Sequence, residues 1–293
     1  MQRYLNIVAM MLCLGVTQCA YAQVSYRPLQ NVRRVVVTFK YEVHNGKRTG
    51  NSCVVRQEIK DSLNRLHTIL DWDCHSAQVK DYVWHTFNGS KIVCTQTFRK
   101  GQLIMQQDFT HSPDSALIAE RITHVNNGDT ALYATVRYTW RGNTRTAVAL
   151  GPKGKRVWRS QSTYNSNGIE ISRKTKISMG FAPLDSIAVL RRHVAYDSLN
   201  RLTHEQIEEK RTDGRLTKRT IAYSYNTKGQ LFERTVSDAN GQEQYSERME
   251  YSNGGALKTI SKFDAQGVLI DYHFKRYEVY PTADRQQRHF EHM

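Results

Sequence analysis

From residue 187 to about residue 280 the chain alternates between apolar and polar positions, in runs closed by glycine or asparagine. Val268, Ile270, Tyr272 and Phe274 would fall on one face of an extended segment. Ile221, Tyr223 and Tyr225 would share a face, as would Ala188, Leu190, Val194 and Tyr196. A period of two places successive side chains on opposite sides and predicts half-buried β-strands. Leu202 to Lys210 is almost polar on both faces, which suits a wet part of a sheet or an edge.

The punctuation is regular. Asn200, Gly214, Gly229, Gly241, Gly254 and Gly267 follow one another at intervals of 12 to 15 residues. Gly and Asn tolerate the positive φ that tight hairpin turns demand. About nine or ten residues lie between turns, enough for one long strand. The hexapeptide Asp-Ser-Leu-Asn-Arg-Leu occurs twice, at Asp61–Leu66 and Asp197–Leu202. The first half has the same grammar: Val35–Val43 runs into His44-Asn45-Gly46, and Asn88-Gly89, Lys100-Gly101, Asn127-Gly128 and Gly142-Asn143 are further hairpin turns. No amphipathic helix of ordinary length is legible. The expected fold is all-β: a long antiparallel meander of repeated hairpins, forming an extended sheet that is twisted or partly curled and open.

The block Tyr196-Asp197-Ser-Leu-Asn-Arg-Leu-Thr203, echoed at Tyr225–Leu231, Tyr251–Leu257 and Phe263-Asp264-Ala-Gln-Gly-Val-Leu269, resembles the YD repeats of the Rhs family. Related turn-and-strand arrays occur in MORN-like repeat proteins. The resemblance spans roughly a quarter of the chain. It implies antiparallel hairpins stacked into an extended sheet, with an association with carbohydrate binding and surface interaction. The chain departs from the family in being too short for a shell that encloses a toxin, and in having no toxin domain after the repeats. No catalytic residues carry over, because the repeat motif contains none.

The first residues predict export. Arg3 precedes an apolar stretch from Leu5 to Val16, and Ala20-Tyr21-Ala22 offers small residues for cleavage before Gln23. Lipidation at Cys19 is the alternative, and Gln18 before it is a poor fit to that processing. No later segment is long and apolar enough for a membrane helix. The layout is therefore a signal peptide over 1–22, a basic β region over 23–186, a repeat region over 187–280 and a polar tail over 281–293. Expected locations are the periplasm, the outer-membrane surface or the medium. Cys53, Cys74 and Cys94 remain after cleavage; they allow one disulfide with one thiol left over, or three thiols. Spacing does not choose the pair.

Charge changes the functional picture. The chain carries 42 Lys and Arg against 27 Asp and Glu. From Arg137 to Lys176 ten basic residues meet one acid, Glu170. Within that stretch Arg137, Trp140, Arg141, Lys153, Lys155, Arg156, Trp158, Arg159, Arg173, Lys174 and Lys176 form the candidate polyanion-binding set. Basic side chains attract polyanions over a distance, and aromatic rings stack on sugars. The expected partners are an acidic glycan, lipopolysaccharide or an envelope protein; export disfavours nucleic acid. No nucleophile elbow, phosphate loop, paired-histidine zinc motif or calcium loop is present, and no cofactor is implied. Asp71-Trp72-Asp73-Cys74-His75 is the densest group of potential metal ligands: on a strand, Asp71, Asp73 and His75 would share a face. It is the centre of the rival reading, a metal-dependent or cysteine-based envelope enzyme. A further alternative is a subunit of an envelope or secretion assembly. The expectation is an exported, non-enzymatic binding or scaffold protein that presents a basic β surface.

Overall fold

The computed structural model describes residues 32–114, 116–126, 129–178 and 187–279. The expected signal peptide over 1–22, the expected turn at Asn127-Gly128 and the expected polar tail over 281–293 lie outside them. Eighteen strands fill the described residues, and none of these residues is helical. The first nine are β1 (Val32–His44), β2 (Lys47–Asp61), β3 (Leu66–Asp73), β4 (Gln78–Asn88), β5 (Lys91–Arg99), β6 (Gln102–His111), β7 (Leu117–Asn126), β8 (Asp129–Arg141) and β9 (Thr144–Leu150). The rest are β10 (Arg156–Tyr164), β11 (Glu170–Ile177), β12 (Ile187–Tyr196), β13 (Leu202–Arg211), β14 (Leu216–Tyr225), β15 (Leu231–Ser237), β16 (Glu243–Tyr251), β17 (Leu257–Asp264) and β18 (Leu269–Val279).

Every strand pairs antiparallel with its neighbour in sequence, and β1 pairs with β18 through eight residue pairs from Arg34↔Val279 to Tyr41↔Tyr272. The expected open sheet is thus a closed 18-stranded barrel. The physical reason is the edge: an open meander would leave two rows of unpaired N–H and C=O groups, and closure removes both. Polar strand β13 accordingly lies between β12 and β14, not at an edge. β11 pairs with β12, so the strands of the basic region and of the repeat region belong to one sheet.

The repeated hexapeptide builds one turn twice. In Asp61–Arg65 the Asp61 carboxylate accepts the backbone N–H of Leu63 and of Arg65, both at 2.9 Å, and pairs with the Arg65 guanidinium. Asp197 repeats this with Leu199, Arg201 and the Arg201 guanidinium. Asn64 and Asn200 occupy the positive-φ position, at 60° and 59°. The same backbone pattern recurs with Asn165, Asn226, Asp238, Ser252 and Asp264 in the first position. A short polar side chain satisfies the turn's N–H groups, and Gly or Asn three residues on takes the left-handed conformation. In the Ser252 turn that residue is Gly255 (φ 80°), one later than the Gly254 that interval counting picks.

Four tyrosines near strand ends share a task of their own. Tyr225, Tyr251 and Tyr277 donate their hydroxyls to the carbonyls of Leu202, Leu231 and Leu257 at 2.8–2.9 Å, and Tyr196 donates to the Glu170 carbonyl at 3.2 Å. Each bond ties one hairpin to the previous one at the same rim, where strand pairing ends. Arg201 lies over the Tyr225 ring at 4.8 Å, and Gln230 donates to the Gly255 carbonyl at 3.2 Å, adding to the lacing.

Register divides the wall into two faces. Face I carries Thr38, Ile122, Val136, Ala149, Glu205 and Val236; face II carries Val37, Leu70, Phe98, Arg137 and Lys176. The buried apolar side chains do not keep to one face. Val35, Val37, Ile59, Leu70, Tyr82 and Phe98 cluster on face II across β1–β5, with Tyr82 and Phe98 stacked at 4.2 Å. Ile122, Ala134, Val136, Ala147 and Ala149 cluster on face I across β7–β9, joined by Val157 at a bulge in β10. Cys53 and Cys74 form a disulfide that links β2 to the turn after β3. A cross-link of this span removes unfolded-state entropy equivalent to about 3 kcal/mol.

Replacing Tyr251 by Phe removes one rim bond and little packing. Urea unfolding should show a loss of about 1 kcal/mol, with an unchanged dichroism spectrum. An unchanged midpoint would show that the tyrosine bonds do not support the rim.

Candidate basic surface and its surroundings

Strand parity sorts the candidate residues. Arg137 lies opposite Val148, Val148 opposite Arg159, and Arg159 opposite Lys176, so the three basic residues share one row on face II. Neighbouring strands are about 4.8 Å apart, which puts Arg159 beside Lys176 and Arg137 about 10 Å from Arg159. Lys174, opposite Gln161 and Arg191, lies on the same face one pleat away. Arg141 and Arg156 also belong to face II, opposite Thr144 and Leu150. Arg137, Arg141, Arg156, Arg159, Lys174 and Lys176 are all exposed.

Face II has no carboxylate on β8–β12. Among the described strand residues, the next acids on face II flank the region: Asp108 on β6, opposite Arg121, and Glu208 on β13, which pairs with Arg191 and Lys218. Among the described residues none of the six exposed cations has an ion-pair partner, so their fields add over one side of the wall.

The other candidates are elsewhere. Lys153 and Lys155 are exposed in the turn between β9 and β10. Trp140, Trp158 and Arg173 are on face I. Trp158 packs against the Val136 cluster, while Trp140 is 53% exposed. Arg173 is held by Glu170 at 2.8 Å. Arg137, Arg141, Arg156 and Arg159 are therefore separated from Trp140 and Trp158 by the thickness of the sheet, while Arg173 shares the face of the two tryptophans.

Face I next to Arg173 is a satisfied network. Glu205, only 7% exposed, accepts from Arg192 Nε at 2.6 Å and from the Tyr223 hydroxyl at 2.9 Å. Arg192 also reaches Glu170 at 3.4 Å. Burial pushes the Glu205 carboxyl up, but the hydrogen bonds from Arg192 and Tyr223 and the Arg192 charge outweigh it and hold it below its ordinary value. Burial and the neighbouring carboxylate push the Tyr223 hydroxyl up to about 12. Sequence reading did not single out this network; the alternation placing Arg192, Glu205 and Tyr223 on one face in successive strands was the available signal.

The Asp71–His75 cluster is differently employed. Asp71 pairs with Arg56 across β2 and β3 at 2.7 Å. β3 ends at Asp73, whose carboxylate accepts the N–H groups of His75 and Ser76 at 2.9 Å in the following turn. Cys74 is in the disulfide. Among the described residues no three His, Cys, Asp or Glu side chains gather as metal ligands.

No protein-family model and no curated protein matches the chain. Solved structures do. A porin-like protein from Bacteroides vulgatus is 11% identical over 84% of this chain and 98% of its own, with a TM-score of 0.37. A porin-like protein from Bacteroides uniformis is 8% identical over 86% of this chain and 98% of its own, with a TM-score of 0.42. The Photorhabdus luminescens Tc holotoxin pore aligns with 80% of this chain but 15% of its own, at 12% identity and a TM-score of 0.25.

Glu205→Gln removes the charge that Arg192 and Tyr223 serve. Because the folded carboxyl titrates below its unfolded value, its contribution is complete above the ordinary carboxylate pKa of about 4.3 and is lost as pH falls through the lower folded value. The variant should be less stable than the parent at pH 7, and in thermal melts the gap should close as pH falls through and below the ordinary carboxylate range. A gap independent of pH would contradict this assignment.

Proposed function

We propose that this protein is an exported, non-enzymatic binding protein of the bacterial envelope, and that face II of β8–β12 is its surface for an acidic glycan. The observation that carries the reading is the unpaired row Arg137, Arg159 and Lys176 with Lys174, on the stretch of face II over β8–β12 where that face carries no carboxylate. A linear polyanion laid across the strands meets cations on successive or alternate strands without first breaking ion pairs. The signal peptide expected from the sequence over residues 1–22 supports the location, and lipopolysaccharide or an acidic envelope protein offers the same charge. Because attraction of this kind is screened, binding weakens steeply with salt.

The wall chemistry favours water on both sides over much of the circumference. A membrane-spanning barrel needs an outward apolar band about 25 Å tall. From β10 to β18, face II carries Arg159, Lys174, Arg191, Glu208, Lys218, Glu233 and Arg248, and face I carries Arg173, Arg192, Glu205, Arg219, Arg234, Glu247 and Lys262. Neither set suits hydrocarbon. No helix among the described residues is long and apolar enough to cross a membrane either.

Two measurements test the reading. On immobilised heparin the protein lacking residues 1–22 should be retained above physiological salt, and Arg159→Glu with Lys174→Glu and Lys176→Glu should elute in the low-salt wash. Equal elution of the two removes face II as the binding surface. The same protein should run as a single species on gel filtration without detergent; a strict need for detergent would show that lipid covers this wall.

A further inference from the structure

Beside the basic row, but on the opposite face, the β8–β9 hairpin carries a second arrangement. Register places Trp140 directly across from Arg145, one residue from the turn at Gly142-Asn143. Tyr138 lies one pleat further along face I, and Tyr164 ends β10 beside the same turn, its backbone N–H donating to the Asn143 carbonyl at 2.9 Å. The Arg145 guanidinium lies 5.5 Å from the Tyr138 ring centre, 5.9 Å from that of Trp140 and 5.6 Å from that of Tyr164. Trp140 and Tyr164 are themselves 5.0 Å apart at a tilt of 43°. Three rings thus fix one cation by their faces, which leaves the edge of the guanidinium, with its N–H donors, for other partners.

The local acids do not supply those partners. Glu120 takes the Tyr138 hydroxyl at 2.9 Å and the Gln107 amide at 2.8 Å. Glu170 takes Arg173 and Arg192. Among the described residues Arg145 has no ion pair. Trp140 meanwhile exposes half its surface, unusual for an indole with neighbours to pack on.

We propose that Trp140 and Arg145, positioned by Tyr138 and Tyr164, bind a single acidic pyranose unit, a uronic acid. The apolar face of the sugar stacks on the indole, and its planar carboxylate takes the guanidinium fork in two parallel hydrogen bonds. The guanidinium lies 5.9 Å from the indole centre, so one sugar residue can reach both groups. The site shares the acidic-glycan chemistry of the proposed function but uses the other face, so either can fail without the other.

Calorimetric titration of the protein with a glucuronate-containing disaccharide and with its carboxyl-reduced counterpart tests it. Saturable binding of the acidic sugar is expected. Affinity should fall by about tenfold or more for the reduced sugar, for Arg145→Lys, which keeps the charge and loses the fork, and for Trp140→Ala. Trp140→Tyr should retain most of the affinity, which separates stacking from a folding defect. Arg159→Glu with Lys174→Glu and Lys176→Glu should bind the disaccharide as the parent does. Equal binding of the acidic and reduced sugars, unchanged affinity in Arg145→Lys, or no saturation up to millimolar sugar would overturn the proposal.

Discussion

The pairing of β1 with β18 is the constraint on which the rest depends. A meander of eighteen antiparallel strands has two open edges, each a row of backbone groups that would recruit another chain. Bringing Arg34–Tyr41 against Tyr272–Val279 satisfies both rows at once. It also fixes the parity of every strand, because one turn around the wall must return each side chain to its own face. Once parity is fixed, the grouping of charges follows from register: Arg137, Arg159 and Lys176 have to share a face, and Trp140 has to be on the other.

Closure puts heavy demand on the turns. Seventeen connections would be seventeen chances for a register slip that exchanges the faces. The recurrent Asp or Asn turn limits this by satisfying its own N–H groups, with the left-handed residue at a set position. The tyrosines add a second check by bonding to the carbonyl of the preceding hairpin, which a slipped strand could not reach. Tyr196, Tyr225, Tyr251 and Tyr277 therefore bind hairpin to hairpin as much as they contribute apolar surface.

The apolar clusters follow a different logic. They occupy face II on β1–β5 and face I on β7–β10, while β11–β18 carries cross-strand ion pairs such as Arg234 with Glu247 and Arg248 with Glu233 beside single buried residues such as Ile221, Val236 and Met249. Exposed pairs of this kind are weak one by one. Their effect here is to balance charge locally along the repeat region, which leaves the β8–β12 stretch as the place where cations go unanswered.

Much of this was legible in the chain itself. Alternation gave strands such as Leu216–Tyr225, and Asp197-Ser-Leu-Asn-Arg-Leu202 gave a turn, because both are set by side chains within a few residues of one another. The regional excess of Arg and Lys was equally plain. Closure was not, because no local signal states that Val37 will meet Arg276 across the seam. Nor could spacing choose Cys53 and Cys74 as partners, or tell that Asp71 would be occupied by Arg56. The separation of Trp140 from Arg137, and its meeting with Arg145 and Tyr164, depended on hairpin register and on which strand came next. Short-range preference wrote the strands and turns; contacts between residues distant in sequence decided which side chains share a surface.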